Sequence, residues 1–282
     1  MTVSTRNSAA LSSFQLKDRV AVVTGAAGGI GSAIADVLAA LGARVALVDL
    51  PQTMPQLQRR AGELGHAALA IACDIVVPDS VAEAADAVQR QLGMCDVLVN
   101  NAGFQGPLTA MQNESLATWD TALSVNVRGA LLCTRAFGAQ MLSRGSGNIV
   151  NIGSIAGHKP NATVSYSVSK AALLALTRHT AVEWGPRGIR TNAVSPGFVM
   201  TRLSAMHYTN AELTRRREQM VPLRRLGEPE EIARAVAFLA SDASSFVNGH
   251  DLIVDGGFLE TTVMHAQAPE QQYGGFAGLG VA

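Results

Sequence analysis

The 282-residue chain is 48% hydrophobic and balances 22 Lys+Arg against 22 Asp+Glu. That size and apolar content suit one large α/β core, and the zero formal charge argues against a nucleic-acid or membrane-surface partner. Its three cysteines, Cys73, Cys95 and Cys133, sit in or beside apolar stretches without metal-ligand spacing, which points to reduced, buried thiols and no metal. No window approaches a membrane span. The first fifteen residues lack the apolar segment of a secretory leader, so a cytoplasmic location is expected.

Residues 1–16 are polar and read as a flexible N-terminal arm. Arg19 to Thr24 is a β-branched run ending at glycines, hence a buried strand. Gly25-Ala-Ala-Gly-Gly29-Ile30-Gly31 follows, then a helical stretch that Gly42 closes. Arg44 to Val48 reads as a second strand ending at Asp49, 51–65 as a loop and helix, and 67–72 as a third strand ending at Cys73-Asp74. Asp79-Ser80 supplies an N-cap signal for the next helix. Asp96 to Val99 is a short strand ending at Asn100-Asn101-Ala102-Gly103. Ser115 to Ser143 reads as one long helix with Asn126 inside it. Asn148 to Ile152 is a strand leading into Gly153-Ser154, and a helix through Tyr166 to Trp184 follows.

Ile189 to Val194 is the next strand, ending at Ser195-Pro196-Gly197. Residues 198–222 form an irregular, partly helical insertion placed to act as a lid. Glu228 to Ser241 is amphipathic, with Ile232, Ala235, Val236 and Leu239 on one face. Asp251 to Val254 is the last strand. Strands alternating with helices argue for an α/β parallel sheet covered on both faces. With no internal repeat or linker, residues 17–258 are expected to form a single domain, and the Gly- and Gln-rich residues 259–282 a tail.

A strand, then Gly25-x3-Gly29-x-Gly31, then a helix is the context of a dinucleotide site. Glycines let backbone approach a pyrophosphate, and the helix N-terminus offers it N–H groups and positive potential. Asp49 lies 18 residues past Gly31, close to the ~20 expected for a carboxylate that holds an adenosine ribose. A carboxylate there repels a 2′-phosphate, and Ala26 and Ala27 supply no cation, so NAD is expected over NADP.

Ser154 follows a buried strand at the end where open α/β sheets place ligands. Tyr166 and Lys170, four apart, share one face of their helix. An ammonium beside a phenol favours the phenolate, which could exchange a proton with an alcohol near neutral pH.

Together these residues resemble the short-chain dehydrogenase/reductase family. The pattern Thr24-Gly-x3-Gly-Ile-Gly31, Asn100-Asn-Ala-Gly103, Asn126, Ser154, Tyr166-x3-Lys170 and Pro196-Gly197 spans about residues 16 to 258. The resemblance implies a Rossmann-type, doubly wound, seven-stranded parallel sheet and a homotetramer built on the helices at Ser115–Ser143 and Ser165–Trp184. It implies Tyr166 as general acid/base, Lys170 as its electrostatic partner on the nicotinamide ribose, and Ser154 as a hydrogen-bond partner of the substrate oxygen. Asn126 would hold a water that relays protons from Lys170. Gly25, Gly29, Ile30 and Gly31 with Asp49 would bind the adenosine half, Asp74 and Ile75 the adenine, and Asn100 and Gly103 the adjoining ribose. Pro196, Gly197, Val199 and Thr201 match the segment that binds the nicotinamide.

The implied reaction is hydride transfer between NAD(H) and a small secondary alcohol or ketone. Phe198, Leu203 and Met206 from the lid, with Gln105 and His158 opposite, are the candidate substrate contacts; the mix suits an apolar body, a ring or a polyol. A 3-oxoacyl-[acyl-carrier-protein] ketoreductase using NADPH shares the motifs, with Arg128 and Arg135 as docking cations, but Asp49 speaks against it. A non-catalytic dinucleotide-binding protein on this fold would be expected to lack part of the Ser-Tyr-Lys set, which is intact here. In the tail, Gln271, Gln272, Tyr273 and Phe276 are candidates to reach a neighbouring subunit.

Overall fold

A computed structural model describes residues 11–65, 68–201 and 211–261. Seven parallel strands are ordered β3-β2-β1-β4-β5-β6-β7. They are β1 (Val20–Thr24), β2 (Arg44–Asp49), β3 (Ala68–Ala72), β4 (Val97–Asn100), β5 (Gly147–Ile152), β6 (Ile189–Pro196) and β7 (Asp251–Val254). The helices are α1 (Gly29–Ala40), α2 (Met54–Leu64), α3 (Pro78–Gln91), α4 (Leu116–Leu123), α5 (Ala130–Arg144), α6 (Val164–Trp184), α7 (Ala211–Met220) and α8 (Pro229–Ala240).

Alternation along the central strand builds two core layers. Ala21 and Val23 of β1 join Ile34 and Leu38 of α1 and Ile232, Val236 and Leu239 of α8. Val20 and Val22 face the other way, onto Val81 and Val88 of α3 and Cys133, Phe137 and Met141 of α5. Burial on both faces is why these strands are continuous apolar runs. All three cysteines are free and buried.

The strand order reverses between β1 and β4, and the crevice at their carboxyl ends is the place where open α/β sheets bind ligands. It is laced shut at its base. Thr24 Oγ1 accepts from the Asn101 and Ala102 N–H groups at 3.0 and 3.1 Å. The Asn101 side-chain amide donates to the Thr24 and Gly25 carbonyls at 2.9 and 3.1 Å.

Four details differ from the sequence reading. The long helix expected over 115–143 runs without a break from Leu116 to Arg144, but it contains a π-helical turn over Ser124–Gly129 between α4 and α5. A π turn inserts one extra residue, which periodicity does not reveal. Asp79-Ser80 does not cap α3: Pro78 occupies its first turn and Val77 precedes it, because Pro needs no N–H partner there. The Ser80 hydroxyl instead accepts from the Asp74 N–H at 3.0 Å. Residues 11–16, read as part of a loose arm, lie on the body. Leu16 is buried, Ser13 accepts from the Ala243 N–H, and Phe14 meets Phe238 at 6.4 Å between ring centroids. At the other end the packed body includes residues past 258, with Thr261 buried and the Leu259 N–H on Asp255 at 2.8 Å.

Candidate active site

The glycine turn connects β1 to α1. Gly25 has φ +67°, a left-handed conformation that favours glycine. A Cβ on Gly31 would stand 2.2 Å from the Gly25 carbonyl oxygen, so the helix packs directly on the turn. Gly28 differs: a Cβ there meets only the Gly25 oxygen, at 3.7 Å. The turn therefore leaves open space over Gly28 beside the amino end of α1, a cradle that fits a pyrophosphate. Gly29 lies under Thr201, whose Cβ would be 2.9 Å from a Cβ at 29. The Ile30 side chain packs toward the core.

Asp49 ends β2 beside this turn. Its carboxylate accepts from the Ala27 N–H at 2.9 Å and from the Leu50 N–H at 2.8 Å. Each oxygen keeps a second lone pair for a hydroxyl donor.

Ser154, Tyr166 and Lys170 converge at the carboxyl end of β5. Ser154 is nearly buried and its Oγ accepts from the Ala156 N–H at 3.1 Å. Its hydroxyl lies near enough to the Tyr166 phenol to favour the ionised form. The Lys170 ammonium lies 5.7 Å from the centre of the Tyr166 ring and donates to the Ile152 carbonyl at 2.7 Å. Burial pushes the Tyr166 phenol up from its ordinary value, and the Ser154 hydroxyl opposes the rise. This corrects the expectation of an easily ionised phenol. Desolvation is the larger cause, and the Lys170 ammonium is turned to the Ile152 carbonyl. Burial pushes Lys170 down to about 8.

Asn126 sits in the π turn with 1% exposure. Its Oδ1 accepts from the Phe104 N–H at 2.7 Å, and its Nδ2 donates to the Phe104 carbonyl and to Ser169 Oγ, both at 2.8 Å. Ser169 Oγ donates in turn to the Tyr166 carbonyl at 2.8 Å. Asn126 thus fastens the loop after β4 to α6. Gly103 completes the contact, since a Cβ there would lie 3.6 Å from the Lys170 Nζ.

Other candidates serve the protein itself. The Asn100 side chain is buried, its amide donating to Asn151 Oδ1 at 2.8 Å and Thr134 Oγ1 at 3.1 Å, and its Oδ1 is buried without a partner among the described residues. Ile75 packs its side chain on Gly129 of the π turn. Asp74 accepts from the Val76 N–H at 3.1 Å. The Gly197 N–H donates to the Val254 carbonyl at 3.0 Å, which pins Pro196-Gly197 to β7. Val199 is buried and bridges Gly227.

Among the substrate candidates, Gln105 lies half-buried in the loop after β4. The Phe198 ring meets Phe258 edge-on at 4.8 Å and has the Arg217 guanidinium 5.7 Å from its centre. The His158 ring is held by Asp251 at 2.5 Å. Leu203 and Met206 lie outside the described residues, as do Gln271, Gln272, Tyr273 and Phe276 of the tail. Arg128, weighed as a docking cation, donates to the Val76 carbonyl at 2.8 Å.

Three supporting residues were given no role by the sequence reading. Thr24 and Asn101 stitch the crevice, and Asn101 was within sight as the second Asn of the 100–103 motif. Glu114 caps α6, accepting from Ser165 Oγ at 2.6 Å and the Ser165 N–H at 3.3 Å. Across 51 residues it leaves no local signal.

This fold and site define a nicotinamide-dinucleotide oxidoreductase. A family model described as enoyl-(acyl carrier protein) reductase matches residues 25–259. The chain is 43% identical over 242 residues to cis-4-hydroxycyclohexanecarboxylate dehydrogenase of Sinomonas cyclohexanicum, covering 86% of this chain and 96% of that one. It is 42% identical over 249 residues to the L-tagatose-forming galactitol 2-dehydrogenase of Cereibacter sphaeroides, covering 87% and 96%. A gluconate 5-dehydrogenase from Burkholderia cenocepacia J2315, solved with NADP and tartrate, superposes with a TM-score of 0.84 at 32% identity, over 89% of this chain and 99% of that one. The chain belongs to the short-chain dehydrogenase/reductase family, in its alcohol dehydrogenase and ketoreductase branch. Among the described residues no helix is long and apolar enough to cross a membrane.

Proposed function

We propose that the chain is an NAD-dependent dehydrogenase of secondary alcohols, working reversibly on the matching ketones, with Tyr166 as the group that moves the proton. The observation that carries this reading is the buried Tyr166 side chain with the Lys170 ammonium 5.7 Å from its ring centre and the Ser154 hydroxyl beside its phenol.

A bound nicotinamide supplies the hydride acceptor. The protein's own work is positional and electrostatic. Ser154 and Tyr166 hold the substrate oxygen between two hydroxyls. Tyr166 takes the proton as the carbinol becomes a carbonyl, and Lys170 stabilises the charge left on the phenol. In reduction the same phenol returns the proton. Because the Asn126 amide is committed to Phe104 and Ser169, a relay water at this residue falls to its main chain in the π turn. NAD is favoured over NADP by the Asp49 carboxylate at the end of β2, which would face a 2′-phosphate.

Relatives that oxidise a ring alcohol and a polyol support a substrate whose secondary hydroxyl sits on a cyclic or polyhydroxylated body. The exposed apolar residues Leu131 of α5 and Val168 and Val182 of α6 support a homotetramer built on these helices, in the cytoplasm, with sedimentation mass as its check. The deciding experiment is a panel of cyclic alcohols and polyols with NAD and NADP, for wild type and Tyr166→Phe, read as reduced-cofactor absorbance. Wild-type turnover that falls at least ~100-fold in the variant supports the reading. Retained turnover removes Tyr166 from it.

A further inference from the structure

Ser154 sits on a short segment fastened at three points. Upstream, the Gly153 N–H donates to the Val194 carbonyl at 2.8 Å, and Gly153 packs so closely that a Cβ would stand 2.5 Å from Ser195 Oγ. In the middle, Gly157 lies on the backbone of α6, where a Cβ would come within 3.1 Å of the Lys170 carbonyl carbon. Downstream, His158 Nε2 meets Asp251 Oδ2 at 2.5 Å, across 93 residues of sequence.

Asp251 is the first residue of β7, beside Ala193 of β6. Its Oδ2 also accepts from Ser195 Oγ at 2.9 Å, and Ser195 is wholly buried. Its Oδ1 is buried without a hydrogen-bond partner among the described residues. A carboxylate loaded on one oxygen and bare on the other is a poor way to gain stability. It is a good way to fix direction, because both donors must converge on a single atom.

Those donors come from the two strand exits that frame the catalytic hydroxyl. Ser195 lies on β6, one strand over from β5. His158 ends the turn that begins at Ser154. The same β7 strand leads into Asp255, whose Cβ would stand 2.6 Å from a Cβ on Gly197, and into Gly256 and Gly257, which pack on Val221 and Pro222 at the lid's end.

We propose that His158 and Asp251 are a positioning pair that sets the Ser154 hydroxyl against the Tyr166 phenol by anchoring its turn to β7 through Ser195. The proposal rests on the Ser154–Tyr166 reading above. It assigns His158 no contact with substrate and so replaces its candidacy as a pocket residue.

The test uses full-length His158→Leu, His158→Gln, Asp251→Asn and the His158→Leu/Asp251→Asn double variant, with one alcohol and its carbinol-deuterated form. Thermal unfolding and NADH binding by fluorescence are measured on each. The Leu and Asn variants are expected to lose roughly 10- to 100-fold in kcat, with NADH affinity and KM changed less than threefold and a larger deuterium effect on kcat. The double variant is expected to be no slower than the worse single one, because both break one unit. His158→Gln, which keeps a donor, is expected to recover most of the rate.

Three results overturn the proposal: a folded His158→Leu enzyme with wild-type kcat, losses that multiply in the double variant, or a change confined to KM for one substrate. The last marks a direct substrate contact. Should His158→Leu not fold, Asp251→Asn and His158→Gln decide alone. Failure of the underlying reading is separate, since it appears as retained activity in Tyr166→Phe.

Discussion

The Lys170 ammonium donates to the Ile152 carbonyl at 2.7 Å, two residues before Ser154. This bond joins the helix that carries Tyr166 to the strand that delivers the serine, and it places a charge at 4% exposure. Burial holds that ammonium down at about 8, against an ordinary 10.5. Below pH 8 Lys170 is charged whether the chain is folded or unfolded, and the folded state bears the full desolvation cost. Between pH 8 and 10.5 the unfolded chain keeps the proton that the folded one releases, so this group makes stability rise with pH. Relative to Lys170→Met, the wild type should gain up to about 3 kcal/mol across that window. Urea unfolding of both proteins at pH 7.5, 8.5 and 9.5 checks it, and a gap that does not move with pH would count against a buried, charged Lys170.

The raised Tyr166 phenol gives the two reaction directions opposite pH profiles. Oxidation needs the phenolate, so kcat/KM for the alcohol should climb from pH 7 upward. Reduction needs the phenol and should be flat near neutrality, falling only at high pH. Initial rates in both directions from pH 6 to 10 test this. An oxidation rate indifferent to pH would mean that burial does not hold the proton on Tyr166.

Gly28 and Gly31 separate binding from folding. Alanine at 31 collides with the Gly25 carbonyl and should destabilise the chain by about 1–3 kcal/mol. Alanine at 28 has open space, at φ −95°, and should fold normally. Its methyl would fill the cradle, so NADH affinity should drop at least ~10-fold with little change in the unfolding midpoint. Titration of NADH fluorescence alongside thermal unfolding reads both.

Asp49→Ala should narrow the preference for NAD by removing the charge that repels a 2′-phosphate. We expect the kcat/KM ratio of NAD to NADP to fall roughly 10- to 100-fold. The Ala27 and Leu50 N–H groups lose their acceptor, at a cost of about 1–2 kcal/mol. An unchanged ratio would reduce Asp49 to a brace for the turn.

Glu114 is the test of helix clamping. Glu114→Ala releases both the hydroxyl and the N–H of Ser165, next to Tyr166, and should cost about 1–2 kcal/mol. Glu114→Gln keeps an acceptor and should retain most of the stability and the rate. Urea midpoints and kcat for the two variants distinguish a clamp from a surface carboxylate.

Much of the fold was legible because its strands are buried on both faces. Runs such as Val20–Thr24 and Ile149–Ile152 have no reason to be so apolar otherwise, and each ends in Gly, Asp or Asn at the crevice. The chemistry was legible where spacing maps directly to geometry, as for Tyr166 and Lys170 on one helical face. Three things were not. The π turn adds a residue without altering composition. The Glu114–Ser165 and His158–Asp251 contacts join segments far apart in sequence, and nothing local marks either end. The direction of the Tyr166 shift depends on how deeply its hydroxyl is desolvated, which a motif does not encode.

The π turn has a consequence for how this site can be lost. Helices α4 and α5 continue one another across it: the wider turn takes up the extra residue, so the faces on either side stay in register while Asn126 reaches Phe104 and Ser169. A change of side chain in Ser124–Gly129 leaves the length of the turn unchanged. Removing a single residue there would close the helix to its ordinary pitch, because six residues in the wider turn rotate the chain about as far as five at about 100° each. Cys133, Phe137 and Met141 would keep their place in the core, and the loss would fall on Asn126 and its bonds to Phe104 and Ser169. The wide turn therefore serves the site rather than the core: shortening it by one residue would remove the clamp between the loop after β4 and α6 while leaving the sheet covered.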